Sequence, residues 1–201
     1  MSIYLLTDER PVSELLELLE PLLKVGLKWI QLRNKRANAN EIYETALALI
    51  PLIERYKAHL IVNDHLDVAY DLQLGVHLGM DDGDPVYARR LLGKEAIVGI
   101  TIHNHIERAY QYADVATYVG VGPIFHTNTK KDAKPVIHLN GLEEVVRMSP
   151  LPVVAIGGID RHNIQSVARV APRHIALCSA ICAAAEPIKE WHHLCTLVGK
   201  K

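Results

Sequence analysis

Eight short apolar runs, separated by stretches with helical periodicity, constrain the fold of this chain more than any other feature. They are IYLL at 3–6, WIQL at 29–32, HLIV at 59–62, GVHL at 75–78, AIVGI at 96–100, YVGV at 118–121, PVVAI at 152–156 and HIALC at 174–178. Between the first two, Val12 to Val25 places Leu15, Leu16, Leu19, Leu22 and Leu23 at helical spacings. Asn40 to Tyr56 does the same with Ile42, Ala46, Leu49 and Ile53. Further helices are expected over 65–73, 84–92, 104–114, 141–148, 161–170 and 186–198. Strand and helix in alternation imply a parallel sheet, and eight repeats imply an α/β fold closed into a (βα)8 TIM barrel. An open, doubly wound sheet would place a glycine-rich fingerprint after the first strand. Thr7, Asp8 and Glu9 stand there instead, which disfavours dinucleotide binding.

A chain of 201 residues, 49% of them apolar, fits one barrel domain over 1–201, near the lower size for that architecture. Its 22 basic and 23 acidic residues leave a formal charge of -1, with no excess to neutralise a nucleic-acid backbone. No apolar run of membrane-spanning length occurs, and MSIYLLTDERP lacks a basic segment before an apolar one. A cytoplasmic protein without nucleic-acid or membrane partners is expected. Cys178, Cys182 and Cys195 lack a zinc-ligand pattern and read as reduced thiols, with Cys178 buried.

Barrels of this kind carry their chemistry at the C-terminal strand ends. Gln31, Arg33 and Lys35 alternate there after the second strand and share one face in extended chain. Three long polar side chains on one face there are hard to bury without a ligand, and a solvated strand exit is the alternative. Asn63 and Asp64 end the third strand, and Asp81 and Asp82 follow the fourth. Carboxylates from adjacent strand ends suit one hard cation such as Mg2+, although each is equally placed to cap a following helix, near Leu66 or Pro85. Thr101 and His103 share one side of the fifth strand end; with 11 histidines in the chain, position alone does not make His103 catalytic. After the sixth strand, Thr127, Thr129 and Lys130 offer two hydroxyls and an ammonium, the donor set of an anion site or of a polar turn. Gly157, Gly158 and Ser179, after the seventh and eighth strands, suit backbone contacts to phosphate or a tight turn.

In order, these pieces resemble the thiamine-phosphate synthase family, also called thiamine-phosphate pyrophosphorylase, with its relative thiazole tautomerase. The resemblance rests on QLRNK at 31–35, VND at 62–64, GVHLG at 75–79 with Asp82, GITIH at 99–103, GVGPIF with TNTKK at 120–131, AIGGI at 155–159 and SAI at 179–181. It implies a (βα)8 barrel that joins an aminopyrimidine diphosphate to a thiazole phosphate and releases pyrophosphate. Substitution occurs at carbon, with the diphosphate departing before the thiazole nitrogen attacks. Charge on the leaving group must be stabilised and water excluded.

On the same resemblance, Mg2+ sits on Asp64 and Asp82, helped by Arg33, Lys35 and Lys130. Gln31, Asn63 and Thr101 hold the pyrimidine diphosphate, and Tyr4 contacts the pyrimidine ring. Thr127, Thr129, Gly158, Cys178 and Ser179 surround the thiazole phosphate. A homodimer is implied by the resemblance alone. Four positions depart from the family pattern: Met80 for glutamine, Thr101 for serine, His126 for proline and His138 for glycine. The last falls in an expected lid-like loop from Lys131 to Asn140. The tautomerase alternative would use His103 for proton transfer, a role suited to imidazole. A non-catalytic barrel that binds thiamine-related phosphates is the third reading.

Overall fold

The computed structural model describes residues 1–127 and 135–199. Its strands are β1 (Ser2–Leu6), β2 (Trp29–Leu32), β3 (His59–Asn63), β4 (Gly75–Leu78), β5 (Val98–Thr101), β6 (Tyr118–Val121), β7 (Val153–Ile156) and β8 (His174–Leu177). The helices are α1 (Val12–Lys24), α2 (Ala39–Arg55), α3 (Leu66–Asp71), α4 (Pro85–Leu92), α5 (Ile106–Gln111), α6 (His138–Met148), α7 (Ile164–Val170), α8 (Ser179–Cys182) and α9 (Pro187–Leu197). Each strand pairs in parallel with the next, and β8 pairs with β1, so the sheet closes into a (βα)8 barrel.

Strand alternation divides the core into two layers. Ile3, Leu5, Ile30, Leu32, Val62 and Val76 face outward and pack with the helices. Tyr4, Leu6, Ile61, Tyr118, Val154 and Ala176 form a separate cluster inside the barrel. On α1 the buried stripe is Leu15, Leu18, Leu19, Leu22 and Leu23, and Leu16 lies at its edge, contrary to the sequence expectation. The i, i+3, i+4, i+7, i+8 spacing centres the face on Leu18 and Leu19. Asn38 starts α2 with a capping box, its side chain accepting from the Glu41 N–H at 3.1 Å while Glu41 accepts from the Asn38 N–H at 2.8 Å.

Other boundaries move for local reasons. β5 starts at Val98 rather than Ala96, because the Ala96 carbonyl accepts from Arg89 Nη1 at 2.7 Å. Helix α6 starts at His138, three residues before the expected 141, so the proposed loop over 131–140 is helical from 138; its 131–134 portion lies outside the described residues. The short helix α8 was not expected. Cys178 is half-buried rather than buried, Cys182 is the buried thiol, and none of the three cysteines is in a disulfide. Among the described residues, no helix is long and apolar enough to cross a membrane.

Candidate active site

The strand ends frame a cavity of about 470 Å³. Tyr4, Gln31, Arg33, Lys35, Asn63, Asp64, Asp82, Thr101, His103, Thr127, Gly158, Cys178 and Ser179 all line it, though they come from all eight strand ends. Thr129 and Lys130 lie outside the described residues. Met80 also lines the cavity, whereas exposed His126 is not among its lining residues.

The acidic side is built from the ends of β3 and β4. Neither carboxylate caps a helix: the residue before α3 is His65, with no side-chain cap, and α4 is capped by Asp84, which accepts from the Val86 N–H at 2.9 Å. Asp64 adopts a left-handed backbone with φ of 67° and pairs with the Lys35 ammonium. Asp82 accepts from the Gly79 N–H at 3.1 Å. A Cβ on Gly79 would meet Asp82 Oδ2 at 2.1 Å, so a larger residue there would push the Asp82 carboxylate off this N–H. Burial, and then contact with the Asp64 carboxylate, push the Asp82 carboxyl above its usual range. Two carboxylates held together with an ammonium beside them form an oxygen donor pair suited to a hard divalent cation. Among the described residues no group of three or more His, Cys, Asp or Glu gathers, so such an ion would take its remaining ligands from water or a bound phosphate.

The floor is polar as well as aromatic. Gln31 Nε2 donates to the Tyr4 hydroxyl at 3.2 Å, and the Tyr4 and Tyr118 hydroxyls lie 2.9 Å apart. Tyr118 in turn meets His77 Nδ1 at 3.0 Å, and His77 Nε2 meets Thr101 Oγ1 at 2.9 Å. Each buried hydroxyl left unpaired would cost about 1–3 kcal/mol, so the chain of contacts is what lets these groups lie inside a barrel. Burial raises the hydroxyl pKa of both tyrosines, keeping them neutral. Tyr4 is only 1% exposed with its hydroxyl engaged, which makes it part of the cavity floor. His77 and Tyr118 were missed from sequence. The signal was present, since both fall at inward-facing positions of their strands, but each resembled an ordinary strand residue.

His103 follows β5 with φ of 55°, and its Nδ1 lies 2.8 Å from the Gly122 carbonyl. A carbonyl only accepts, so in the neutral ring Nδ1 carries the proton and Nε2 is the basic atom. On the far arc the loops after β6 and β7 are docked backbone to backbone, with the Phe125 N–H donating to the Gly157 carbonyl at 3.0 Å. A Cβ on Gly158 would meet the His126 carbonyl oxygen at 2.4 Å, so glycine is required there for close approach as well as for its φ of 64°. The carbonyl of exposed His126 thus packs against Gly158, which lines the cavity.

Comparison with known proteins agrees with this architecture. The thiamine-phosphate synthase of Clostridium acetobutylicum is 38% identical over 185 residues, covering 90% of this chain and 87% of its own. That of Archaeoglobus fulgidus is 37% identical over 201 residues, 100% of this chain and 94% of its own. The solved thiamine phosphate pyrophosphorylase of Pyrococcus furiosus superposes with a TM-score of 0.85 at 30% identity, covering 98% of this chain and 96% of that one. A 3-hexulose-6-phosphate synthase from Salmonella typhimurium, at 17% identity and a TM-score of 0.73 over 100% of this chain and 99% of its own, shares the barrel. The sequence model described as Thiamine monophosphate synthase matches residues 3–181, and the chain belongs to that family of transferases.

Proposed function

We propose that this protein joins 4-amino-2-methyl-5-hydroxymethylpyrimidine diphosphate to a thiazole phosphate, forming thiamine phosphate and releasing pyrophosphate. The observation that carries this reading is the division of one cavity into two unlike anion-facing arcs. Arg33, Lys35, Asp64 and Asp82 come from the ends of β2 to β4, whereas Thr127, Gly158 and Ser179 come from β6 to β8. Between them lies the floor made by Tyr4, Gln31, Tyr118 and Thr101. Two phosphorylated substrates placed on opposite arcs would meet over that floor.

Arg33 and Lys35 bind the diphosphate and offset the negative charge that grows on its bridging oxygen as the carbon–oxygen bond breaks. Asp64 and Asp82 would hold a Mg2+ ion, which when bound supplies further positive charge to the same oxygens. Gln31, Asn63 and Thr101 orient the pyrimidine, and the barrel wall keeps water from the electron-poor methylene carbon. The thiazole nitrogen then supplies the electron pair for the new carbon–nitrogen bond. Gly158, Ser179 and Thr127 hold the thiazole phosphate within reach. Lys130, outside the described residues, joins the diphosphate side in this reading.

Incubating the protein with both substrates and Mg2+ and following pyrophosphate release tests the proposal. Release that requires the thiazole phosphate supports it. The orientation of His103, with Nε2 as its basic atom, favours tautomerisation of a thiazole carboxylate phosphate as the second reading. Tautomerisation without pyrophosphate release would overturn the first.

A further inference from the structure

Cys178 and Cys182 form a thiol pair whose sulfur chemistry has no part in the bonds made or broken by the synthase reaction. They stand four residues apart across α8, and the Cys182 N–H donates to the Cys178 carbonyl at 2.9 Å. One helical turn separates their Cα atoms by about 6 Å, inside the span a disulfide bridges. Their sulfurs rest on consecutive carbonyls after the same strand: Cys182 Sγ donates to Leu6 O at 3.5 Å, and Cys178 Sγ to Thr7 O at 3.7 Å. The neighbouring Cys182 thiol holds the Cys178 thiol below its ordinary range, aided by the charges of Arg33 and Arg10. Cys178 lines the cavity, while Cys182 is 6% exposed behind it. A reachable thiol backed by a shielded one is the arrangement of a reactive and a resolving cysteine.

We propose that Cys178 and Cys182 are a modification site, a dithiol that hydrogen peroxide converts to an intramolecular disulfide on the β8 rim of the cavity. In the first step the Cys178 thiolate attacks one peroxide oxygen. A sulfur–oxygen bond forms, the oxygen–oxygen bond breaks, and the departing hydroxide becomes water on taking a proton. In the second, the Cys182 sulfur attacks the Cys178 sulfenic sulfur, the sulfur–sulfur bond forms, and hydroxide leaves with the Cys182 proton as a second water. Two thiols lose two electrons and the peroxide gains them. Closing the bond draws Cys178 off the Thr7 carbonyl and shifts adjacent Ser179. Loss of activity from that shift rests on the reading that this rim takes the thiazole phosphate; the thiol chemistry does not.

The test treats the full chain with hydrogen peroxide, blocks remaining thiols and digests with trypsin. Cleavage after Arg173 and Lys189 places Cys178 and Cys182 in one peptide and Cys195 in another. The expected result is a peptide lighter by two hydrogens, a fall in pyrophosphate release of about tenfold or more, and recovery of both with dithiothreitol. Cys182→Ala should keep basal activity, form no disulfide, and under peroxide carry Cys178 on to a sulfinic acid that dithiothreitol does not reverse. An unchanged peptide after peroxide treatment of the wild type, or a disulfide made with Cys195, overturns the proposal. Absence of pyrophosphate release before any oxidation overturns the synthase reading instead, and the peptide mass still decides the thiol pair.

Discussion

The ring of Tyr118 occupies the space a side chain on Gly99 would need: a Cβ there would lie 2.2 Å from Tyr118 Cζ and 2.4 Å from its hydroxyl oxygen. The two residues are register partners on β5 and β6. Gly99→Ala should therefore displace the ring and break the hydroxyl contacts with Tyr4 and His77. Overpacking of this kind costs about 1–3 kcal/mol. Urea unfolding and the near-ultraviolet circular dichroism of the tyrosines report it, and wild-type values for both would refute the packing argument.

Thr101 holds His77 Nε2 through its hydroxyl, so the hydroxyl and not the methyl matters to the floor. Thr101→Ser should retain most of kcat/KM for the pyrimidine diphosphate. Thr101→Val should lose about 10-fold or more, since a half-buried polar contact of about 1–3 kcal/mol is removed. Equal activity of the two variants would separate Thr101 from the reaction.

The Asp64 and Asp82 carboxylates meet at the cavity mouth, and the synthase reading gives them the Mg2+. Asp64→Ala should lower pyrophosphate release by about 10²-fold or more, the scale of losing charge stabilisation at a leaving group. Thiazole phosphate binding, followed by calorimetry, should be unchanged because Gly158 and Ser179 lie on the other arc. Undiminished turnover in this variant would remove the metal assignment.

Arg89 fastens the base of β5 through five contacts. Its guanidinium donates to the carbonyls of Val115, Gly93, Lys94 and Ala96 at 2.7–3.0 Å and to Thr117 Oγ1 at 3.1 Å. A lysine cannot reproduce that fork. Arg89→Lys should destabilise the fold by about 2–4 kcal/mol, read as a lower urea midpoint at an unchanged slope. A midpoint equal to wild type would show the contacts to be dispensable.

Asp8 binds Arg10 side on, with oxygens 2.6 and 2.7 Å from Nε and Nη2, and this pairing holds its carboxyl below the usual carboxylate range. A lowered folded value means the unfolded chain takes up the proton first. The pair's stabilisation is thus fully present above about pH 4 and is lost as pH falls below it. The Asp8 side chain is 34% exposed, so solvent screening keeps the effect below about 1 kcal/mol. Urea midpoints between about pH 3 and pH 6 should fall less steeply in Asp8→Asn than in wild type. Parallel slopes would show that the pair does not titrate with folding.

Periodicity was enough to read the barrel, because eight strands buried on both faces and backed by amphipathic helices admit few other closures. The candidate site was largely legible for a related reason: polar residues directly after apolar strands stand out against their surroundings. Gln31, Asn63, Asp64 and Thr101 were found in this way. His77 and Tyr118 were not, because strand alternation gives direction but not partner, and their roles depend on Thr101, Tyr4 and Gly99 arriving from other strands. The capping alternative for Asp64 and Asp82 was likewise undecidable from spacing; the turn at Gly79 and the reach of Lys35 decided it.

The sequence by itself determined the order and number of strands, the single domain, and which strand ends carry charge, since these follow from local pattern. Only the tertiary structure decided which polar groups are already engaged with one another and which face open space. Barrel closure brings residues more than a hundred positions apart, such as Tyr4 and Tyr118, to 2.9 Å. Hydrogen bonding and burial act over a few ångströms, and no spacing along the chain encodes that distance.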